Sequence, residues 1–494
     1  EEEEACAERV SDLFVRLSED EMFRVRKACA ENIVEISKAA PLHLRTDKFG
    51  PAMLKILRDN SKLGRHAALQ HLGPFISTLV PIDDADFDDF GNFGDGAPSL
   101  PSALITELVA HFVSATSNSD AGGDDAADAD LRIHCAFSFP AVALAVGRHG
   151  WGLLRECHAA LTRDVANAVR RCVACSLHVC ARILGGEATE RELAGAFEKL
   201  VQDESEDVRI GVVRNLANFL MILPPEVRAR YTSLPREIFD GASQMNWRLR
   251  NHLAQQLEGL IALRDVGGVA CVLAPLAFSL LDDAVSEVRE SAAAAIPSLL
   301  RTLREPPPAA AGDGGATGSA ARAALQEAVG RLGDLAASRH FGRRQSFCTA
   351  LAAIAREGAL RDVIAADLLP RALVLADDPV TNVRWALRRA LRSMPAELRG
   401  AERVAAALVV LDDEEATWGS MVDCSAVLPE ASTSAAAPAA AGSGGVDGAL
   451  NVGGTGDEEA SAEDASASSN DTTNASSTSL STYESFEDAR TDLS

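Results

Sequence analysis

A chain of 494 residues that is 47% hydrophobic but only 5% aromatic has ample apolar surface for a core and few large rings, so helices packed closely through small side chains are expected. Its net charge of −25 is unevenly placed: residues 81–130 carry 12 acidic and no basic residues, and 425–494 carry 12 acidic residues and one Arg, which leaves about −2 for everything else. A near-neutral body disfavours nucleic acid as a main partner, and the longest apolar run, Val266 to Leu281, is 16 residues with two Gly and a Pro, short for a membrane span.

One pattern recurs along the chain: an acidic residue, a polar turn, an Arg usually preceded by an apolar residue, then an amphipathic helix. Its fullest copy lies between Phe197 and Leu220. There an apolar helix ends near Val201, the turn holds Asp203, and Val208-Arg209 opens a helix. Val208, Val212, Val213, Leu216, Phe219 and Leu220 share one face of that helix. In chain order the Arg positions are Arg26, Arg65, Arg132, Arg170, Arg209, Arg250, Arg289, Arg344 and Arg384. The spacings are 39, 67, 38, 39, 41, 39, 55 and 40 residues, and a period near 40 built from two helices has the size of HEAT and armadillo repeats. The acidic partners are Asp20, Asp59, Asp164, Asp203, Asp240, Asp283 and Asp378, and a degenerate tenth unit is expected from Asp412, with Trp418 near the Arg position.

The two long spacings hold Gly-, Pro- and Asp-rich insertions at 83–98, 117–130 and 306–320, which cannot sit inside packed helices. Leu100 to Val113, between the first two, reads as a repeat helix. The expected fold is therefore all-α: a HEAT-repeat α-solenoid, a superhelical stack of about ten antiparallel helix pairs. N-terminal repeats occupy 5–80, acidic insertions flank a repeat helix over 81–130, central repeats fill 131–305, a Pro/Gly/Ala-rich loop spans 306–320, and C-terminal repeats run over 321–428. From 429 to 494 Ser, Ala, Gly, Thr, Asp and Glu dominate, the composition of a disordered acidic tail. Each turn Asp is expected to cap the second helix, and each Arg to pair with an acid in its own or the adjacent turn, as a structural ladder rather than a ligand contact.

Few residues suggest chemistry. Cys172, Cys175 and His178, with Cys180 beyond, have spacings of three, but they sit within a repeat helix with no second ligand pair following, so packed thiols are expected rather than a metal. Asp84, Asp86 and Asp88 alternate as in a calcium loop, yet Asp89 stands where the loop needs Gly. Gly91, Gly94 and Gly96 lack the Lys-Ser/Thr of a phosphate loop. The expectation is a protein that is not an enzyme, with no cofactor and no metal. Ten scattered Cys fit reduced thiols in the cytosol or nucleus, so a cytoplasmic location, or a nuclear one as well, is expected. Large aromatics beside the turn arginines, Trp247, Phe341 and Trp385, have the make-up of interaction anchors. Trp247 could equally plug a gap between helices, and Trp385 reads as core.

Several segments go beyond periodicity. VRKACAENIVEIS (25–37), RHAALQHLGPFISTL (65–79), LRIHCAFSFPAVALAVGRHGWGLLRE (131–156), NWRLRNHLAQQL (246–257) and DDPVTNVRWALRRAL (377–391) resemble the protein phosphatase 4 regulatory subunit 1 family of HEAT-repeat proteins, itself similar to the scaffold subunit of protein phosphatase 2A. The resemblance implies a non-catalytic subunit. Its partners would be a Ser/Thr phosphatase catalytic subunit of the phosphatase 4 type and the protein substrates to which it directs that subunit, with no nucleic acid and no membrane. In the related scaffold an Asn-Trp-Arg-Val-Arg turn helps to grip the catalytic subunit. Trp247 and Arg248 match it, and the following turns then suggest Val285 and Ser286, Phe341 and Arg344, and Val380 and Asn382. Ser286 and Phe341 stand where the scaffold has Tyr. The alternative reading is a nuclear transport carrier or a general HEAT-repeat adaptor.

Overall fold

The computed structural model describes residues 2–80, 102–117, 125–242, 246–305 and 314–422. The chain divides into a unit from Glu1 to Cys424 and a second from Ser425 to Ser494, and the second lies wholly outside the described residues. So do the aspartates and glycines of 83–98, residues 118–124 and 306–313 and the side chain of Trp418, whereas 125–130 and 314–320, expected to lie in insertions outside the helices, are helical.

Every regular element among the described residues is helical. In chain order, the first and second helices of successive units are α1 (Glu2–Ser18) and α2 (Phe23–Ala39), α3 (Gly50–Leu57) and α4 (Lys62–Ser77), and α5 (Ala103–Ser117) and α6 (Asp125–Gly150). Then come α7 (Arg155–Thr162) and α8 (Asn167–Leu184), and α9 (Gly186–Val201) with a second helix split into α10 (Glu206–Val213) and α11 (Leu216–Ile222). Next are α12 (Leu234–Gly241) and α13 (Trp247–Ala262), α14 (Ala274–Leu281) and α15 (Ser286–Arg304), α16 (Gly314–Ala336) and α17 (Phe341–Arg356), α18 (Leu369–Val374) and α19 (Thr381–Arg392), and finally α20 (Glu402–Val422). The second helices form one continuous series, each packed on the next from α2 to α20. This is the stacking a HEAT array requires, because one helix pair cannot enclose its own apolar surface.

The sequence pattern explains the local geometry. Three first helices carry a π-helical turn (Arg45–Phe49, Val269–Leu273, Ile364–Leu368) running up to Pro51, Pro275 and Pro370, where the wider turn accommodates the proline ring and its missing N–H. Ala129–Leu153 is long and apolar enough to cross a membrane, but Pro140 lies within it, Gly147 breaks it at φ 70°, and Cys135, Phe139, Val142 and Val146 are buried in the core of the stack. Two further expectations are corrected. Asp412 opens no tenth turn: it lies inside α20, where it accepts from Arg388 and Arg392 of the preceding helix. The helix expected through Val208 to Leu220 is broken at Arg214-Asn215.

The most distinctive sequence segments meet at one close approach. A Cβ on Gly73, in α4, would fall 2.2 Å from Ser138 Oγ and 3.3 Å from Phe112, so only glycine lets α6 come this near. Gly73→Ala is expected to cost about 1–3 kcal/mol by overpacking, and Ser138→Gly in the same chain should recover part of it. Urea denaturation of the two single variants and the double checks this, and strictly additive losses would contradict it.

Candidate protein-binding ridge

Six of the turns between paired helices close in the same way. The turn Asp sits six residues before the ladder Arg and accepts the backbone N–H two residues on: Asp20 from Met22, Asp59 from Ser61, Asp164 from Ala166, Asp203 from Ser205, Asp283 from Val285 and Asp378 from Val380, at 2.7–2.9 Å. These donors are the N-cap amides themselves, so the Asp closes a turn ahead of the helix instead of capping its first free amides as expected. The Arg folds back onto the same turn. Arg170, for example, donates to the carbonyls of Asp164 (2.8 Å) and Val165 (3.2 Å), and Arg26, Arg65, Arg209, Arg289 and Arg344 repeat the arrangement.

The remaining guanidinium N–H groups reach the next unit. Arg26 pairs with Asp59 (2.5 and 2.9 Å), Arg170 with Asp203 (2.8 and 2.9 Å), Arg250 with Asp283 (2.6 and 3.2 Å) and Arg344 with Asp378 (2.5 and 2.9 Å), while Arg132 donates to Asp164 at 2.6 Å. Both partners of these pairs are largely withdrawn from water, so fork-on-carboxylate geometry with additional backbone bonds is needed to satisfy them. The Arg26 and Arg170 hydrogen bonds hold the Asp59 and Asp203 carboxyls below the ordinary carboxylate range. At Asp378 burial opposes the shift, and the bonds from Arg344 and the Val380 amide still bring it down.

The ladder pauses where its grammar fails. Asp240 lies ten residues before Arg250 and pairs with Arg236 inside its own helix. Ser338 stands six residues before Arg344, in the Asp place, so Arg289 meets no carboxylate there; Ser338 Oγ still accepts the His340 N–H at 3.2 Å. A reversed strut replaces the missing rung, with Arg343 donating from Nε to Asp282 at 2.5 Å and from Nη2 to its other oxygen. Asn246 Oδ1 caps α13 by accepting from Leu249 N at 3.1 Å, in the unit whose residue six before the Arg is Gln244.

These pairs set the eight candidate residues in order. Arg250–Asp283 joins the turn of Trp247 and Arg248 to that of Val285 and Ser286. Arg343–Asp282 ties that turn to the one bearing Phe341, and Arg344–Asp378 joins the latter to the turn of Val380 and Asn382. Trp247, Ser286 and Phe341 each begin a second helix, and Asn382 follows the first residue of α19. Trp247, Val285 and Val380 are half-buried against the core, whereas Arg248, Ser286, Phe341 and Asn382 are exposed. Trp247 thus both plugs and presents: Arg248 lies over its ring, 5.1 Å from the centroid. Phe341 is 47% exposed and stacks on His340 at 5.3 Å. Arg344, by contrast, spends its donors on Asp378 and its own turn. Trp385, read from the sequence as core, is 39% exposed. Elsewhere, Cys172 and Cys180 are packed in α8, and burial pushes their thiols up to about 11 and about 12.

Residues 135–238 match the family model for the middle domain of protein phosphatase 4 regulatory subunit 1. All eight candidate residues lie beyond the end of that segment. Serine/threonine-protein phosphatase 4 regulatory subunit 1 of Mus musculus is 32% identical over 312 residues, covering 62% of this chain and 30% of that protein. The Homo sapiens protein of the same name is 33% identical over 300 residues, covering 59% of this chain and 29% of its own length. The chain thus matches less than a third of the length of these relatives. Among solved structures, an engineered protein aligns with a TM-score of 0.41 at 18% identity over 82% of this chain and 93% of that chain. A designed armadillo repeat protein aligns at 0.30 and 20% identity over 49% of this chain and all of that one. Over about 300 residues, then, this chain is similar in sequence to protein phosphatase 4 regulatory subunit 1.

Proposed function

We propose that the chain is a non-catalytic regulatory subunit that holds a phosphatase catalytic subunit of the phosphatase 4 type along the ridge of turns from Trp247 to Asn382 and directs it to protein substrates in a cytoplasmic or nuclear setting. The observation that carries this reading is the ion-paired register of four consecutive turns, which presents Trp247 with Arg248, and then Phe341, at fixed intervals on one edge. Preordered aromatic and Arg anchors lose little side-chain freedom on binding, which favours affinity for a protein surface. The names of the relatives supply the class of partner.

The test is co-purification of a phosphatase catalytic subunit with the full chain. Trp247→Ala combined with Arg248→Glu is expected to weaken capture on the order of a hundredfold while helical content and melting are kept. Undiminished capture by that folded variant rejects the ridge. Capture of a small GTPase without any phosphatase supports a transport carrier instead.

A further inference from the structure

The last regular second helix, α19 (Thr381–Arg392), carries Arg384, Arg388, Arg389 and Arg392 and no acidic residue. Its buried face is Val383, Ala386, Leu387, Ala390 and Leu391. At 100° per residue the opposite face is centred on Trp385, with Arg388, Arg389 and Arg392 to either side within one arc. The preceding helix α17 adds Arg343, Arg344 and Arg356, again with no acidic residue. Seven arginines without one carboxylate on two adjacent helices contrasts with α15, where Glu287 and Glu290 accompany Arg289, Arg301 and Arg304.

The ladder and α20 account for part of this charge. Arg343 and Arg344 bind Asp282 and Asp378, Arg384 holds its own turn, and Asp412 accepts from both Arg388 and Arg392. The Arg392 side chain is nevertheless 54% exposed, and Arg389 has no ion pair among the described residues. Trp385 lies among them with 39% of its surface in water. Tryptophan flanked by arginine on the outer face of a helix is the composition of a binding anchor.

We propose that this face of α19 is a docking site for an acidic segment of a partner protein, with Trp385 receiving an apolar or aromatic side chain and Arg389 and Arg392 pairing its carboxylates. Charge complementarity selects the occupant. A short acidic peptide meets the local arginines within a Debye length, whereas a long polyanion needs a broad basic surface that the near-neutral body does not offer. The site adjoins the C-terminal end of the proposed phosphatase ridge, since Asn382 lies one turn before Trp385 in α19, and it extends from there toward Arg392, away from Trp247 and Arg248.

Fluorescence anisotropy with the purified full chain tests it. The probes are a labelled synthetic peptide of Glu and Asp around one Phe, its Gln/Asn counterpart, and a uridine oligonucleotide of equal charge. The acidic peptide is expected to bind and its neutral counterpart to fail. Arg389→Glu with Arg392→Glu should weaken binding at least about tenfold, and Trp385→Ala by roughly tenfold. Arg24→Glu, on the exposed side of α2 and outside this surface, should leave binding unchanged. If the double variant melts early, Arg389→Gln, which leaves the Asp412 pairs intact, must still weaken binding. Unchanged binding in Arg389→Gln, no binding of the acidic peptide, or tighter binding of the oligonucleotide each overturns the proposal. Trp247→Ala with Arg248→Glu must keep peptide binding, so failure of the phosphatase assignment and failure of this one give different results.

Discussion

Asp203→Ala is expected to destabilise the array by about 3 kcal/mol, because it strands the buried Arg170 guanidinium and removes the acceptor of the Ser205 amide. The control is Asp240→Ala. It removes an exposed pair within one helix and should cost no more than about 0.5 kcal/mol. Urea denaturation at pH 7 compares them, and equal losses would mean that the ladder is not a determinant of stability. The acid dependence adds a second check. Arg170 lowers the Asp203 carboxyl in the folded state, so the rung stabilises fully above the unfolded carboxylate pKa, near 4, and is lost as pH falls through the lower folded value. The gap between wild type and Asp203→Ala should therefore be constant from pH 7 to about 5 and should narrow below about 4. A common slope lies beneath both curves. His158 is buried against Phe139 and Trp151, and burial lowers it to about 4, so the unfolded chain takes up a proton below about 6.5 that the native state refuses. Because that loss occurs equally in both proteins, their difference isolates the rung.

Much of the fold was legible because repetition amplifies a weak signal. One turn Arg says little, but nine of them, with six of the eight spacings between 38 and 41 residues, specify helix pairs that must stack. The ladder was legible in kind and misread in detail. Its constant is the interval of six from Asp to Arg, which Asp20, Asp59, Asp164, Asp203, Asp283 and Asp378 obey. That interval would have excluded Asp240 and drawn attention to Ser338. The Arg343–Asp282 strut could not be read, since its partners are 61 residues apart and outside the repeat rule. Trp385 misled for another reason: aromatic residues beside an apolar helix face are usually core, and only its angular position among the arginines places it on the solvent side.

The candidate ridge follows from the same economy. Within each unit the Arg and Asp are committed to the stack, so the positions free to differ are those just before the Arg. The residue three before the ladder Arg is Phe23, Lys62, Ala129, Asn167, Glu206, Trp247, Ser286, Phe341 or Thr381 along the array. A common scaffold thus presents a varied row, and the aromatic members mark where a partner surface would gain most.

Gln256→Leu is expected to cost about 2–3 kcal/mol, although Gln256 belongs to no motif. The second helix of its neighbouring unit is split at Arg214-Asn215, and a split frees backbone groups that a continuous helix would pair. Gln256 answers both sides of the gap, donating from Nε2 to the Arg214 carbonyl at 2.7 Å and accepting the Ala217 N–H through Oε1 at 3.0 Å. From the other flank, Asn215 donates to the Cys175 carbonyl at 3.3 Å. Gly259, one turn beyond Gln256, allows the approach: a Cβ there would lie 2.7 Å from that of Ala217. No ladder rung from Arg209 to the next turn is seen among the described residues, so this side-chain clamp substitutes for it at the same junction. Leucine fills similar volume but leaves one carbonyl and one amide unpaired, each costing about 1–3 kcal/mol where water cannot replace the partner. Amide hydrogen exchange decides the case. In the variant, protection should fall first at Ala217 and along α11 and α13, while α2 and α4 keep theirs. Uniform loss across the array, or none at Ala217, would show that the break is held by packing alone.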